Sequence, residues 1–380
     1  MEYYIKGNLL TFEYGIIKNA YLMIKDGIID NITNNAPPTN STVLDYSDKL
    51  VTPGLIDSHI HGYNGIDIEN YNSESIQQLS KDLASRGITS WVPTIRTSNI
   101  SEMENTMQFI INHKDKIKGA RIIGGYFEGP FLSKDRVGSQ NKKYIIDFEK
   151  DKLKRLIDFS RYMPIKICLA PENINDNIFN LISKMNNVIL CLGHTNASEL
   201  AYPKNYNSRL IITHIFNAMR GIHHRDIGIA GQALLDNNSY VEIIGDGKHL
   251  SDSMINLIFN FKSINRIILI SDNNQLSGKA DGVYNYNGKK ISVRNNTLQQ
   301  KEDNTLSGSG FSLLDSLKHL KSLDLLDIKD LFKIATINVA ESLGLSDSIG
   351  SLHKGKKADI LVFDSSFNLL NTYVNGVCVN

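Results

Sequence analysis

Cysteine is scarce in this chain of 380 residues, which contains only Cys168, Cys191 and Cys378. None of the three lies in a paired or C-x-x-C spacing, so the sequence excludes a disulfide framework and a zinc knuckle as organising features. Cys168 and Cys191 fall inside apolar runs, where cysteine serves as a small packing residue. This usage is typical of a reducing compartment, and we expect a cytoplasmic location.

The chain also lacks an excess of charge of either sign, since 41 Lys and Arg residues oppose 40 Asp and Glu residues. A balanced surface creates no field that attracts nucleic acid or an anionic membrane, and we expect neither as a partner. No stretch approaches the roughly 20 apolar residues that cross a bilayer. The opening MEYYIKGNLLTFEYG also lacks the basic and apolar regions of an export signal. We therefore expect a soluble, unexported protein.

The chain does contain eight short apolar runs, most of which end in polar side chains: GLIDSHIHG, TSWVPTIR, RIIGGYFEG, IKICLAPE, VILCLGHT, LIITHIFNA, VEIIGDGKH and RIILISDN. Continuous Val, Ile and Leu runs are typical of parallel strands buried on both faces. The gaps have room for one helix each, and NSESIQQLSKDLASRG shows the apolar spacing of an amphipathic helix. Eight such units joined by right-handed crossovers predict an α/β fold, a (β/α)8 TIM barrel.

The two ends of the chain differ from this pattern, because they alternate short strands with turns such as Lys25-Asp26-Gly27 and Asn375-Gly376. The length also exceeds the roughly 250 residues of a bare barrel. We predict that residues 1–50 and 346–380 form one small β-sandwich domain beside a barrel of residues 51–345. The turn-rich segment from Gly278 to Ser309 predicts a β-hairpin near the mouth of the barrel.

Six side chains that can bind a metal follow or end these predicted strands: His59, His61, Glu128, His194, His214 and Asp272. His59 and His61 are two residues apart on a strand, so both side chains point to one side. The carboxyl ends of the strands of a TIM barrel meet at one mouth, where its reacting groups lie. Nitrogen and carboxylate ligands of this kind suit Zn²⁺ or Fe²⁺ better than Mg²⁺.

A divalent ion at this mouth would lower the pKa of a bound water to about 7, and Asp272 could take the proton and pass it to a leaving group. Each residue alone has a simpler explanation, because a histidine beside an apolar run is more often a packed core residue than a ligand. Six candidates in barrel order are hard to obtain from packing alone, and this favours the metal site. We interpret His113, His319 and His353 as surface residues and Glu172 as a structural acid.

The chain resembles the N-acetylglucosamine-6-phosphate deacetylase family of the amidohydrolase superfamily in motifs spread nearly from end to end: VTPGLIDSHIHG, FEGPF, LGHTNA, THIFNAM, GDGKH, SD and GSLHKGKKADILVFD. The resemblance implies that Glu128, His194 and His214 hold the main metal ion, and that His59 and His61 permit a second. One or two Zn or Fe ions per subunit are therefore expected. The family has a split β domain beside its barrel, and a homodimer is implied.

The same resemblance implies a set of residues around a small-molecule substrate. Asp272 and His249 are expected to be catalytic, with His249 orienting the sugar or polarising its amide. Arg225 is expected to clamp a phosphate, since its planar fork binds two phosphate oxygens at once. Its alternative is an ordinary solvated charge. The remaining expected contacts are Ser139, Gln140, Asn217, Ala218, Asp246, Gly247, Lys248, Leu306, Ser307 and Gly308.

Two segments depart from the family pattern. Gln140 stands where a histidine is common, and an amide can form hydrogen bonds but cannot carry a proton. The residues from Asn273 to Leu276 replace the usual small residues with a bulkier and more polar wall. These changes leave the metal chemistry intact and put the identity of the sugar in doubt.

Three hypotheses for the function therefore stay open. The leading one is hydrolysis of the acetamide of an N-acetylhexosamine 6-phosphate, most closely N-acetylglucosamine 6-phosphate, to the amino-sugar phosphate and acetate. The second is a related reaction, on N-acetylgalactosamine 6-phosphate, on a cyclic amide or on an N-acyl amino acid. The third is a noncatalytic protein that binds metal or sugar phosphate, which is disfavoured because the full ligand set and Asp272 are present.

Overall fold

Residues 2–70, 72–204, 206 and 209–379 are described by the computed structural model. The N-terminal part of the chain forms long strands in which buried and exposed side chains partly alternate, as expected for a sheet with one covered face. These strands are β1 (Glu2–Thr11), β2 (Gly15–Lys25), β3 (Ile28–Thr33) and β4 (Val43–Pro53).

The barrel follows directly, and most of its strands are buried at every residue, as the continuous apolar runs predict. In chain order the strands of this region are β5 (Leu55–Ile60), β6 (Gly62–Tyr63), β7 (Ile66–Asp67), β8 (Ile88–Ile95), β9 (Arg121–Ile122), β10 (Gly125–Phe127), β11 (Ile165–Leu169), β12 (Val188–Leu192), β13 (Ile211–Ile212), β14 (Tyr240–Ile244) and β15 (Ile267–Ile270). Strands β6 and β7 pair only with each other, and β9 pairs with β8 beside the main path.

Eight of these strands run parallel in the order β5-β8-β10-β11-β12-β13-β14-β15. Their order in the sheet is therefore the same as their order along the chain. The ring closes through backbone hydrogen bonds from Asp272 N to His59 O (3.0 Å) and from His61 N to Asn273 O (2.7 Å). Tyr126 on β10 reaches Thr213, beside β13, with its hydroxyl 2.8 Å from Oγ1. The predicted TIM barrel is therefore confirmed, with a packed interior.

Helices cover the outside of the barrel: α1 (Ser73–Ser85), α2 (Ile100–His113), α3 (Lys150–Ile157), α4 (Asp176–Ser183), α5 (Gly228–Leu235), α6 (Asp252–Phe261), α7 (Leu313–Ser322), α8 (Ile328–Lys333) and α9 (Ile337–Leu343). Helix α1 shows why they form where they do. The side chain of Asn72 accepts hydrogen bonds from the backbone of Glu74 and Ser75 at its start, and Ile76, Leu79 and Leu83 bury one face.

The predicted excursion after β15 is a three-stranded antiparallel sheet, β16 (Gly282–Tyr286), β17 (Lys289–Arg294) and β18 (Thr297–Gln300). It buries its own small apolar cluster, which includes Ile291 and Leu298. Asn273 and Asn274 donate hydrogen bonds to the carbonyls of Ser309 (2.7 Å) and Ser307 (2.6 Å), so the segment that follows the sheet returns to the mouth of the barrel.

The C-terminal strands β19 (Ile360–Phe363), β20 (Leu369–Val374) and β21 (Val377–Cys378) join the N-terminal strands in one sheet of order β21-β20-β19-β4-β1-β2-β3. The small β domain from both chain ends is present, built as a single curled sheet. Its edge at β3 meets the residues before β19, with Ile29 N bonded to Lys356 O and Ala358 N to Gly27 O, both at 2.8 Å. The curl encloses an apolar core that includes Ile5 and Leu22.

We propose the division expected from the sequence, with residues 1–50 and 346–380 in the small domain and 51–345 in the barrel. The two parts are linked by Arg121, beside the barrel, whose Nη1 is 2.6 Å from Oδ1 of Asp359 and 2.9 Å from Oδ1 of Asn375 in the small domain. Among the described residues, we find no helix with the length and apolarity to cross a bilayer.

Candidate metal centre and substrate cavity

The six predicted ligand residues come together at the carboxyl ends of the barrel strands. His59 lies within β5 and His61 directly follows it, while Glu128 directly follows β10. His194, His214 and Asp272 each stand two residues beyond a strand, after β12, β13 and β15. Strand ends that are far apart in the sequence thus supply one buried cluster, because the closed ring turns every carboxyl end to the same mouth.

Glu128 is at the centre of this cluster. Its Oε1 is 3.1 Å from Nε2 of His194, 3.1 Å from Nε2 of His214 and 3.5 Å from Nε2 of His59. Its Oε2 is 3.3 Å from Nε2 of His61. The carboxylate therefore lies between two overlapping groups of ligands, one formed with His59 and His61 and the other with His194 and His214.

These distances fit metal ions. Within each group the ligand atoms all lie within 4.8 Å of one another. Bonds of about 2.1 Å to a tetrahedral ion place two ligand atoms about 3.4 Å apart. Nε2 of His194 and Nε2 of His214 face each other at 3.2 Å, and the buried Nε2 of His59 has no hydrogen-bond partner among the described residues. One cation in each group would satisfy these nitrogens.

The charges in the ion-free cluster also indicate a place for a cation. Burial opposes protonation of the two histidines of β5, but the carboxylates of Glu128 and Asp272 raise the pKa of His59 to about 10 and that of His61 to about 9. Burial likewise raises the pKa of the Glu128 carboxyl, yet the surrounding imidazoles hold it well below its usual range. Positive charge is therefore favoured here, and a metal ion would displace protons from these imidazoles.

The second nitrogen of three ligand histidines is held by the protein. Nδ1 of His61 bonds to the carbonyl of Thr94 (2.7 Å), and Nδ1 of His194 bonds to the carbonyl of Arg136 (3.0 Å). Nδ1 of His59 lies 3.2 Å from a carboxylate oxygen of Glu242. Such contacts orient the ring so that Nε2 faces the ion.

Glu242 and its partner Lys166 were not identified in the sequence analysis. Both are fully buried within strands of the barrel, and the Lys166 ammonium pairs with Oε1 of Glu242 while also donating to the carbonyl of Ser58 (2.9 Å). The lysine thus compensates the carboxylate that orients His59. A signal was available, since a single charged residue interrupts each of the apolar runs IKICL and VEII.

The backbone is strained where the ligands leave the strands. His194, His214 and Asp272 have positive φ angles of 46°, 27° and 52°, and Ala218 nearby has 48°. Residues other than glycine rarely adopt this left-handed region, and such strain concentrates at functional sites. Gly138 also has a positive φ, and a Cβ there would lie 3.2 Å from the His194 ring, so glycine lets this loop close over the ligand.

The two expected catalytic residues face the cluster from neighbouring strands. Oδ1 of Asp272 is 3.4 Å from Nε2 of both His59 and His61. Nδ1 of His249 is 2.8 Å from Oδ2 of Asp246, which also accepts a 2.7 Å hydrogen bond from Ser309. Burial alone would lower the pKa of His249, but the Asp246 carboxylate outweighs this effect and raises it. His249 can therefore carry a proton on Nε2, the nitrogen that Asp246 leaves free.

A cavity of about 210 Å³ opens onto this cluster. Among its lining are seven of the expected substrate residues: Ser139, Gln140, Asn217, Ala218, His249, Leu306 and Gly308. Asn274, from the segment Asn273 to Leu276 that departs from the family pattern, also lines it. The sequence analysis did not single out four others: Arg96, Gly138, Tyr286 and Thr305. Arg96 is held by Asp67 (2.9 Å) and by Glu69 and lies against the Tyr286 ring, so the insertion after β15 forms part of the wall.

The other expected contacts lie elsewhere in this chain. Asp246 does not line the cavity but bonds to His249, which does. Ser307 is buried and is also absent from the lining. Gly247 and Lys248 line a neighbouring cavity with Arg86 and Lys318. Arg225 is exposed on the loop before α5, 2.9 Å from His224, and does not line the cavity of its own chain. The position of each motif in the sequence thus predicted which loops lie near the cavity. It did not predict which side chains of those loops point into the cavity.

Comparisons with known proteins agree with this geometry. The model of the Amidohydrolase family matches residues 50–379, which covers the barrel and the C-terminal strands. The chain is therefore an amidohydrolase, a metal-dependent hydrolase of carbon–nitrogen bonds.

Relatives that match this chain over nearly its whole length identify the family within the amidohydrolases. The chain is 32% identical to N-acetylglucosamine-6-phosphate deacetylase of Bacillus subtilis (strain 168), over 98% of this chain and 96% of that protein. It is 27% identical to N-acetylgalactosamine-6-phosphate deacetylase of Escherichia coli O157:H7, over 99% of both. The crystal structure of N-acetylglucosamine-6-phosphate deacetylase from Pasteurella multocida superposes with a TM-score of 0.91 and 25% identity, over 99% of each chain. The chain belongs to the N-acetylglucosamine-6-phosphate deacetylase family.

The contact between Glu242 and His59 generates a prediction about ion binding. Glu242→Gln would leave the buried Lys166 ammonium without its carboxylate, so the double variant Glu242→Gln/Lys166→Met is the fair test. The introduced amide can still accept a hydrogen bond from Nδ1 of His59 but carries no charge, and changing a partner that orients a metal ligand lowers ion affinity by about 10–100-fold. We expect that loss in titrations of the ion-free protein with Zn²⁺ or Co²⁺.

Glu172→Gln is the matched control, because this carboxylate also lies at the mouth of the barrel but bonds to Thr195 and Asn196. It should leave ion affinity unchanged. An unchanged affinity in the Glu242 double variant would show that the carboxylate does not orient His59.

Proposed function

We propose that this protein hydrolyses the N-acetyl group of an N-acetylhexosamine 6-phosphate, most closely N-acetylglucosamine 6-phosphate, to give the amino-sugar 6-phosphate and acetate. The observation that carries this proposal is the position of Asp272. Its carboxylate borders both the ligand cluster and the cavity, with His249 also on the cavity wall. An acid beside a metal centre, at the floor of a cavity of small-molecule size, suits hydrolysis of an amide.

Glu128, His194 and His214 would hold one divalent ion, and His59 and His61 would hold a second with Glu128. Imidazole and carboxylate donors favour Zn or Fe. When bound, such an ion polarises the amide carbonyl and lowers the pKa of water. Both groups are buried, so the surrounding low dielectric strengthens these effects.

Asp272 would move the proton. Burial raises the pKa of the Asp272 carboxyl, but hydrogen bonding from His61 and the charge of His59 bring it below its ordinary value, so the group is ionised at neutral pH. An ionised carboxylate at this point accepts a proton from the attacking water. It then returns that proton to the nitrogen of the departing amino sugar.

His249 would stabilise the negative charge that develops on the amide oxygen. The contact between its Nδ1 and Asp246 fixes the ring and leaves Nε2 for the cavity. Because Asp246 raises the pKa of His249, Nε2 can donate a hydrogen bond to that oxygen. The hydroxyl of Ser309 donates a hydrogen bond to the same Asp246 oxygen and so helps to hold that carboxylate in place.

The phosphorylated sugar would lie along the walls of the cavity. Asn217 and Ala218 follow His214 and are placed to contact the sugar, with Ser139, Leu306 and Gly308 also on the lining. Arg225 would clamp the phosphate. Its exposure, and its absence from the lining of its own chain, support a homodimer in which this loop reaches the cavity of the second subunit.

N-acetylgalactosamine 6-phosphate is the second candidate substrate. The 27% identity to the Escherichia coli deacetylase named for that sugar extends over 99% of both chains, which supports it. We also propose a cytoplasmic role in amino-sugar metabolism. The location is supported by the thiols of Cys168 and Cys191, which are buried and form no disulfide, and the role by the similarity to the Bacillus subtilis deacetylase.

Asp272→Asn tests the proton transfer. The amide keeps the size of the carboxylate but cannot accept the proton, so kcat for deacetylation should fall by about 10²–10⁴-fold. The ion held by Glu128, His194 and His214 should be retained, because those three residues are untouched. Amine release with metal analysis measures both quantities, and the exposed Asp303→Asn is the control. Turnover close to that of the unaltered protein, with metal bound, would remove Asp272 from this role.

Arg225→Met tests the phosphate contact. Hydrogen bonds to charged groups contribute about 1.5–3 kcal/mol, so kcat/KM for the 6-phosphate should fall by about 10–100-fold. The value for unphosphorylated N-acetylglucosamine should change little. Arg220→Met is the matched control, since this arginine of the same loop is already paired with Asp226 at 2.8 Å. Equal losses on both substrates would favour an unphosphorylated amide instead.

A further inference from the structure

We propose that Gln140 is a positioning residue. Its side-chain amide fixes the carboxylate of Glu128 and thereby sets the ion affinity of the ligand group formed by His59, His61 and Glu128, here called the β5 subsite. The inference rests on the proposed metal-dependent function. It concerns a residue of the cavity lining whose side chain contacts the carboxylate shared by the two ligand groups.

The amide of Gln140 is held from two directions. The residue is only 3% exposed. Its Nε2 donates a hydrogen bond to Oε2 of Glu128, and its Oε1 accepts one from the backbone N of Thr97 at 3.0 Å. Thr97 is fixed in turn, because its hydroxyl donates to the carbonyl of Glu128 at 2.7 Å. Gln140, Thr97 and Glu128 therefore form a closed set of hydrogen bonds.

The oxygen that Gln140 contacts is the one that faces His61 of the β5 subsite, while His59 of the same subsite has its Nε2 3.5 Å from Oε1. Oε2 of Glu128 is the oxygen that lies 3.3 Å from Nε2 of His61. Oε1 instead lies 3.1 Å from both His194 and His214. A carboxylate oxygen has two lone pairs, so Oε2 can accept the amide N–H with one and face an ion with the other. The amide thus fixes the direction in which Oε2 presents its second lone pair.

The consequence is unequal for the two ligand groups. Without the amide, Oε1 still faces the two histidines beyond β12 and β13. Oε2, the oxygen that faces His61, loses the hydrogen bond that fixes the direction of its lone pairs. Ion affinity at the β5 subsite should therefore depend on Gln140, and affinity at the group of Glu128, His194 and His214 should depend on it much less.

The test is a titration of the chelator-treated, full-length protein with Co²⁺, followed by calorimetry and by the absorption of the bound ion. The unaltered protein should bind two ions per chain, and His61→Asn should identify the β5 subsite by weakening one of them. Gln140→Met should weaken that same ion by about 10–100-fold. The other ion should change by less than about threefold.

Two neighbouring substitutions are controls. Ser139→Ala alters the adjacent cavity residue, and Thr97→Val removes the hydroxyl contact to the Glu128 carbonyl but leaves the Gln140 amide on the carboxylate. Neither should change the ratio of the two ion affinities. If Gln140→Met does not fold, Gln140→Asn keeps an amide that is one carbon too short to reach Glu128, and it should show the same selective loss.

Equal weakening of both ions by the Gln140 variants would overturn the proposal, because a general structural role changes both subsites together. Unchanged affinities would overturn it as well, as would an unaltered protein that binds only one ion. The titration uses no substrate. A failed deacetylation assay on a protein with the expected ion affinities would therefore contradict the proposed function alone.

Discussion

The arrangement around the mouth of the barrel depends on one electrostatic constraint, which is that four imidazoles and two carboxylates must share a space a few ångströms wide. Glu128 contacts three of the histidines through one oxygen and the fourth through the other. Without a cation, protons must hold these groups together, and this is why the pKa values of His59 and His61 are raised. A divalent ion satisfies the same contacts with one charge centre in place of several protons.

The barrel makes this concentration of charge possible. Closure between β5 and the residues after β15 brings His59 and Asp272, more than two hundred residues apart, into backbone hydrogen bonding. The left-handed backbone at His194, His214 and Asp272 is unfavourable in itself and persists because the surrounding strands fix it. Further support lies below the site, where the buried pair of Lys166 and Glu242 holds His59 from the interior. Stability of the scaffold and orientation of the ligands are thus coupled.

Much of the barrel and of the candidate metal site could be predicted from the sequence. The spacing of apolar residues and the residue types that follow each strand are both local signals. Continuous apolar runs indicated the eight parallel strands, and the polar residues after them indicated the cluster. The curl of the terminal sheet could not be predicted, since it depends on pairing between residue 29 and residue 356, which no local pattern records. Lys166 and Glu242 were missed because an apolar run was treated as uniform. Lys248 was placed at the cavity by its position in GDGKH, although it lines a neighbouring cavity.

The most direct test of the account is the anomalous scattering of a crystal of the metal-loaded protein, recorded on both sides of the absorption edge of the bound metal. We predict a peak about 2.0–2.2 Å from the side-chain atoms of Glu128, His194 and His214. Any second peak should lie beside His59 and His61. Peaks only at other positions, or none in a crystal of active protein, would contradict the claim that a metal ion gathers these residues.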